Sequence, residues 1–406
     1  MDDLTNGLSK VNVNDDVNIS VYNFIQGKVG NCGMISSMSQ LAINKDLYSK
    51  VVPRGQNFDK KNSSKVVFHL YKLGKLHKVI VDKKLPYDGN ELKYCTSSSS
   101  NFLGPLLEKA LVELHFDGNY ELAKGVPASF VMSSLTNNFF EDLLVTSNDK
   151  SFDIDKLINH GLETKSQMAV NFLQENLSHL NLYTNHYYAI LHEENTKCND
   201  SIFFYNPHGK VVSTSKKDFN KINPKLFEIC YSDNKIFGIP EIKTNTCFTY
   251  KWPKLKWNER IHFVTYNLLV KEDKTEVLIN VIEKNHSLKV IPKIFIITNC
   301  EKITSIKSSF SVVEERRERK YFGGNSLRKN LKRGKYKIVV VMSTFYKIES
   351  CEECRNYLES NGNEFLFRLA ASNHCLVYKS TIKETYKIEK FLFDWHARFE
   401  NLCTIL

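Results

Sequence analysis

At 406 residues the chain is too long for one hydrophobic core, and the usual roughly 100–200 residues per domain predicts two or three domains. Its 42% hydrophobic and 25% charged residues are the proportions of a soluble globular protein, so most of the chain is expected to fold. The net charge of +11 is spread through a sequence rich in Lys, Asn and Ile and reads as compositional bias. An acidic partner is the other reading of that charge, and no nucleic-acid partner is predicted.

Residues 1–20 are polar, rich in Asn and Asp, and lack the apolar stretch of a signal peptide; they read as a short lead that need not be ordered. The two glycines of Gln26-Gly27-Lys28-Val29-Gly30 make a turn. Asn31, a good N-cap, then precedes a helix that opens at Cys32 and carries small and apolar residues to Ala42. Strands are predicted over Val66–Leu70 and Lys78–Asp82, and a helix over Leu106–Leu114 with Leu107, Ala110, Leu111 and Leu114 on one face. Polar residues 147–156 mark a domain join, and short strands follow over Gln167–Leu173, Tyr187–His192 and Ser201–Tyr205. Between 258 and 373, alternating runs at Phe263–Val270, Glu276–Ile282, Ile294–Ile297, Tyr336–Met342 and Glu364–Ala370 predict a β-sandwich. Lys383–Leu406 reads as a helical tail.

No run of about eighteen apolar residues occurs, so no membrane span is expected and the chain is placed in the cytoplasm. The ten cysteines are scattered and read as reduced, mostly buried thiols. Cys351 and Cys354 have CxxC spacing, but no second pair or His pair sits at zinc-finger distance, so two ordinary thiols are expected there.

A thiol attacks carbonyls as thiolate, which a helix N-terminus and a neighbouring His stabilise. A third group fixes the imidazole tautomer, and N–H donors hold the oxyanion. Each part has a candidate: Cys32 at the helix start, Gln26 across the glycine turn as amide donor, His186 just ahead of an apolar strand, and Asn206 just after one. Singly each has a plainer reading, as a buried thiol, a structural His or an Asn-Pro turn. The combination carries the chemistry.

With its context, Gln26-Gly27-Lys28-Val29-Gly30-Asn31-Cys32 resembles the calpain signature Q-G-x-x-G-[DN]-C. Val51-Val52-Pro53 with Gln56-Asn57-Phe58, the run Val79 to Pro86, Leu106-Leu107-Glu108-Lys109-Ala110 and Gly118-Asn119-Tyr120-Glu121 resemble further motifs of that family in order. Asn185-His186-Tyr187-Tyr188 and Asn206-Pro207-His208-Gly209 fit its H-A-Y and N-P-W-G slots, and residues 314–373 resemble its β-sandwich. The resemblance implies an α+β fold, a papain-like two-lobed protease core followed by a C2-like β-sandwich. Its expected parts are a lead over 1–20, a Cys lobe over 21–150, a His/Asn lobe over 151–255, the sandwich over 256–375 and a helical tail over 376–406. It also implies a cysteine endopeptidase with Cys32, His186, Asn206 and Gln26 in the catalytic roles, limited proteolysis through a thioacyl intermediate, and protein substrates cut at exposed loops or disordered segments.

Three departures qualify this. The family Trp residues after the nucleophile and within N-P-W-G are Gly33 and His208 here, so a wetter site with weaker electrostatics is expected. The family's calcium carboxylates are Asn23 and Asn101, so calcium control is expected to be weak or absent and no cofactor is assigned. No EF-hand loop occurs. The alternative function is a catalytically weak or inactive scaffold. The basic stretch Arg316, Arg317, Arg319, Lys320, Arg328, Lys329, Lys332, Arg333, Lys335 and Lys337 is either a solvated face or a contact for anionic membrane or acidic partners.

Overall fold

A computed structural model describes residues 10–12, 18–59, 65–89, 91–146, 153–191, 200–251, 261–283, 290–298, 325–344 and 364–380. Inside the polar lead, Lys10–Asn12 (β1) pairs antiparallel with Asn18–Ser20 (β2), so part of it is ordered. The helices Cys32–Ser39 (α1) and Lys45–Val51 (α2) follow. Val66–Lys72 (β3) and Lys75–Val81 (β4) then form a hairpin whose turn residues, Leu73 and Gly74, both have positive φ, the conformation tight hairpins require. Buried Val66, Phe68 and Leu70 alternate along β3. Tyr87–Asp88 (β5) and Glu91–Leu92 (β6) make a short ladder. The helix Leu103–Phe116 (α3) buries Leu103, Leu106, Leu107, Ala110 and Leu111, the stripe that helical spacing predicts. Ala128–Thr136 (α4) is buried along nearly its whole length and packs beside α1.

A six-stranded antiparallel sheet comes next. It contains Phe140–Val145 (β7), Gln167–Phe172 (β8), Tyr187–Ile190 (β9), Ser201–Asn206 (β10), Lys210–Ser215 (β11) and Lys225–Cys230 (β12), in the order β11-β10-β9-β8-β12-β7. β7 joins this sheet although it lies before residue 151, where the second lobe was expected to begin. Alternate residues point to opposite faces. Phe140, Ala169, Tyr187, Ala189, Tyr205 and Cys230 face the core shared with α1, α3 and α4. Val170, Phe172, Tyr188, Phe204, Phe227 and Ile229 face a second core, capped by the helix Ile154–Thr164 (α5), with Phe219 from the helix Lys216–Lys221 (α6).

The last described strands are Thr244–Lys251 (β13), Ile261–Val270 (β14), Thr275–Glu283 (β15), Val290–Thr298 (β16), Asn325–Leu331 (β17), Gly334–Thr344 (β18), Glu364–Ala371 (β19) and Cys375–Lys379 (β20). They form two four-stranded antiparallel sheets, β13-β19-β15-β17 and β16-β18-β14-β20, which share one apolar core. The stacked rings of Tyr266 and Phe367, 4.3 Å apart, join the two sheets across it.

The first of these sheets also covers the exposed edge of β7. Asn280 donates to the Phe140 carbonyl (2.8 Å) and accepts from the Phe140 N–H (3.0 Å), and Ser326 accepts from the Asp142 N–H at 2.9 Å. Arg328 grips Glu141 with two bonds of 2.7 Å. Arg328, expected on the basic surface, is therefore committed to an internal ion pair. Lys337 is buried and donates to Asn267, whereas Lys332, Arg333 and Lys335 are exposed. Arg316, Arg317, Arg319, Lys320, Cys351, Cys354 and the predicted tail lie outside the described residues. No helix among the described residues is long and apolar enough to cross a membrane.

Candidate active site

The turn before Cys32 is held from two sides. Gly27 is required there, because a Cβ would lie 2.0 Å from the Tyr94 carbonyl oxygen. Ile25 and Thr96 exchange backbone hydrogen bonds at 2.9 and 2.7 Å. From the six-stranded sheet, the Pro207 carbonyl accepts from the Gln26 N–H at 2.8 Å, and Tyr205 donates its hydroxyl to the Phe24 carbonyl at 2.8 Å. The segment carrying Gln26 is thus bonded to the segment carrying Asn206.

Asn31 stands at the N-cap position, but its side chain makes no capping bond; it donates to Glu108 Oε1 at 2.7 Å instead. Glu108 Oε2 accepts from the Cys95 N–H at 2.9 Å, so this buried carboxylate ties the start of α1 to the loop beneath Gln26. With no side chain capping α1, the N–H groups of Cys32 and Gly33, with that of Tyr187, pull on the Cys32 thiol, although none makes a hydrogen bond of ordinary geometry to the sulfur. Tyr187 follows His186 directly and opens β9, which packs against α1, so the Cys and His segments lie side by side.

His186 Nε2 lies 2.9 Å from Asn206 Oδ1, which also accepts the His208 N–H at 2.9 Å. An atom that accepts a backbone N–H is the amide oxygen, and an oxygen here can only accept. Nε2 therefore carries the imidazole proton and Nδ1 is the nitrogen left with a free lone pair. The His208 ring stacks on His186 at 4.7 Å with an interplanar angle of 5°, and Tyr183 meets both rings edge-on. Gln26 Nε2 donates to the Val29 carbonyl at 2.9 Å, which orients the amide and leaves it a second N–H.

The expected wetter site is not what forms. His186 is only 7% exposed. A Cβ at Gly33 would lie 2.2 Å from the Val126 carbonyl oxygen, so backbone leading into α4 fills the space beside Gly33. On the other side, the His208 ring covers His186. Burial pushes the Cys32 thiol above its ordinary range, against the pull of its three N–H donors and with a further push from Glu228. Burial lowers His186 to about 4, against the Asn206 hydrogen bond and with help from His208. Both shifts favour the neutral thiol–imidazole pair at rest.

At the replaced calcium positions, Asn23 donates to the Ser97 and Ser99 hydroxyls at 2.9 and 2.7 Å, and Asn101 Oδ1 accepts the Leu103 N–H at 2.9 Å. Among the described residues, no cluster of three or more His, Cys, Asp or Glu side chains is arranged to hold a metal ion. Sequence reasoning passed over Glu108 and Glu228 as site residues. Each is a single acidic residue at a core-facing position of an apolar element, and that misplaced charge was the available signal.

Residues 9–224 match the family model described as calpain family cysteine protease. Over 123 residues the chain is 33% identical to calpain clp-1 of Caenorhabditis elegans, a stretch that is 30% of this chain and 16% of that protein. It is 30% identical to human calpain-12 over 151 residues, 37% of this chain and 20% of that one. To mouse calpain-5 it is 34% identical over 142 residues, 33% of this chain and 22% of that one. The chain therefore spans less than a quarter of the length of these relatives.

Proposed function

Because this chain belongs to the calpain family of cysteine proteases, we propose that it is an active endopeptidase of the cell interior, with Cys32 as nucleophile, His186 as base, Asn206 as orienting residue and Gln26 as oxyanion donor. The observation that carries this reading is the 2.9 Å hydrogen bond from His186 to Asn206, made at the head of β9, which packs against the helix that Cys32 opens. In this reading Cys32 passes its proton to His186 Nδ1 as sulfur attacks the peptide carbonyl. The Cys32 N–H and the second N–H of Gln26 hold the oxyanion. The imidazolium then protonates the departing amine, leaving a thioacyl enzyme that water hydrolyses with His186 again as base. Substrates are extended segments, exposed loops or disordered stretches of other proteins.

The reading includes independence from calcium in this core. Asn23 offers amide N–H groups where a cation needs oxygens, and its bonds to Ser97 and Ser99 tie the loops without an ion. The two terminal sheets are read as a C2-like sandwich, on which exposed Lys332, Arg333 and Lys335 form a short basic edge for anionic surfaces. The test is labelling by a peptidyl epoxide, wild type against Cys32→Ala, with calcium and with chelator. Labelling that requires Cys32 and ignores chelator supports both parts. Labelling only with calcium removes the second, and none from folded protein favours the scaffold alternative.

A further inference from the structure

Glu228 lies within β12, fully buried on the face toward α1 and α4. One of its oxygens accepts the Ser129 N–H of α4 at 2.5 Å, and the other accepts the Tyr187 hydroxyl of β9. Both partners bear on the nucleophile. The backbone leading into α4 abuts Gly33, and β9, which Tyr187 opens, packs against α1 and brings an N–H whose pull lowers the Cys32 thiol. One carboxylate thus joins the element packed on the nucleophile's helix to the strand that follows His186.

A second carboxyl faces it. Asp142 of β7 is the register partner of Glu228, so the two side chains leave the sheet on the same face, at the roughly 5 Å spacing of directly opposed residues. Burial and the Glu228 charge hold Asp142 well above the usual carboxylate range, and burial pushes Glu228 up to about 7. The Ser129 side chain pulls Asp142 the other way, yet neither its hydroxyl nor either Asp142 oxygen completes a hydrogen bond of ordinary geometry. The other titratable groups bearing on the pair are Glu141, Tyr187, Cys32 and Cys230. The charge of Glu141 is held by Arg328.

We propose that Asp142 and Glu228 share one proton and serve as a positioning pair for the nucleophile, with the charge on Glu228, which holds Ser129 and Tyr187, and the proton on Asp142. Two facing carboxyls in a buried space cannot both ionise. The two donors on Glu228 select it as the charged member. Its charge opposes a thiolate on Cys32, while its bond to Tyr187 ties it to the strand whose N–H pulls on that thiol. The inference rests on Cys32 being the reactive thiol of the proposed protease.

The experiment is the pH profile of Cys32 alkylation by iodoacetamide, a probe that needs no peptide cleft and reads thiol ionisation whether or not the chain cuts peptides. Glu228→Gln keeps both links, since its oxygen still accepts the Ser129 N–H and its amide can donate to the Tyr187 hydroxyl; only the charge goes. Its profile moves to lower pH, and alkylation below the midpoint quickens. Tyr187→Phe keeps the backbone N–H near Cys32 but removes one of the two donors that hold the charge on Glu228, so its profile also moves to lower pH, by less than that of Glu228→Gln. Asp142→Asn, whose amide replaces the shared proton, leaves the midpoint where it is. Downward shifts in the first two variants support the pair, and if Glu228→Gln does not fold, the smaller downward shift of Tyr187→Phe carries the test. Unmoved profiles in the folded variants overturn it. A downward shift in Asp142→Asn places the charge on the other carboxyl and overturns the assignment.

Discussion

Asn206 Oδ1 receives the His186 Nε2 proton at 2.9 Å and is itself fixed by the N–H of His208, at the same distance. The tautomer of His186 thus depends on one side-chain oxygen whose own orientation is set by backbone. Asn206→Ala frees the ring to rotate and to carry its proton on either nitrogen. Peptidyl-epoxide labelling of Cys32 is expected to slow by about 10²-fold, the lower end of what a positioned acid–base contributes. A rate within threefold of wild type, with unchanged thermal stability, would show that Asn206 does not orient the base.

The buried imidazole also sets an acid limit on stability. His186 is lowered to about 4 from 6.5, so the unfolded chain takes up this proton first as pH falls. The stabilisation is fully present above about 6.5 and is lost as pH drops through about 4, amounting to ~3 kcal/mol. His186→Gln should flatten the pH dependence of urea unfolding in that window and leave it unchanged above pH 7. Equal acid sensitivity in the two proteins would mean that another group dominates.

Gly33 gives a steric prediction. A Cβ there meets the Val126 carbonyl at 2.2 Å, and that oxygen belongs to backbone. Gly33→Ala is expected to cost about 1–3 kcal/mol, read as a lower melting temperature. Gly33→Trp, which restores the residue type the family carries, is expected to cost more. A Trp variant as stable as wild type would show that the segment into α4 can withdraw.

What the sequence made legible is local. Cys32, Gln26, His186 and Asn206 stand out as candidates because turn chemistry and motif spacing mark them within a few residues. The opposition of Asp142 and Glu228 was hidden, since it depends on the pairing of β7 with β12, strands far apart in the chain. Gly33 announced a lost ring but not that backbone from 126–128 would occupy the space. α4 escaped notice because Ala128 to Leu135 are buried all round, which erases the apolar stripe by which a helix is recognised. α5 does carry such a stripe in Ile154, Leu157 and Ile158, but it begins inside the polar stretch read as a join.

Arg328 ties the first terminal sheet to β7. The Glu141 side chain is only 2% exposed, and without Arg328 its charge would be stranded. Arg328→Met is expected to destabilise the chain by about 3–5 kcal/mol, the cost of a broken buried pair. The double variant Arg328→Met with Glu141→Gln should recover most of that loss, because no uncompensated charge remains. Urea unfolding of both decides it; a double variant no more stable than the single one would mean that packing, not charge, holds the contact.

Glu108 carries a pH-dependent cost whose sign runs opposite to that of His186. Burial raises its carboxyl to about 7 from 4.5, against the pull of the Cys95 N–H and the Asn31 amide. The folded chain therefore keeps this proton over a range in which the unfolded chain has lost it. Stability from this group is whole below about 4.5 and falls as pH rises through about 7, by up to ~3 kcal/mol. Glu108→Gln can still accept the Cys95 N–H, and it can donate to Asn31 once that amide turns over. It should be near neutral at pH 4.5 and stabilising at pH 8. The comparison is the melting temperature of variant and wild type at those two pH values. An equal loss at both would mean that the carboxylate's two hydrogen bonds outweigh the cost of burying its charge, and that Glu108 stays ionised beneath Cys32.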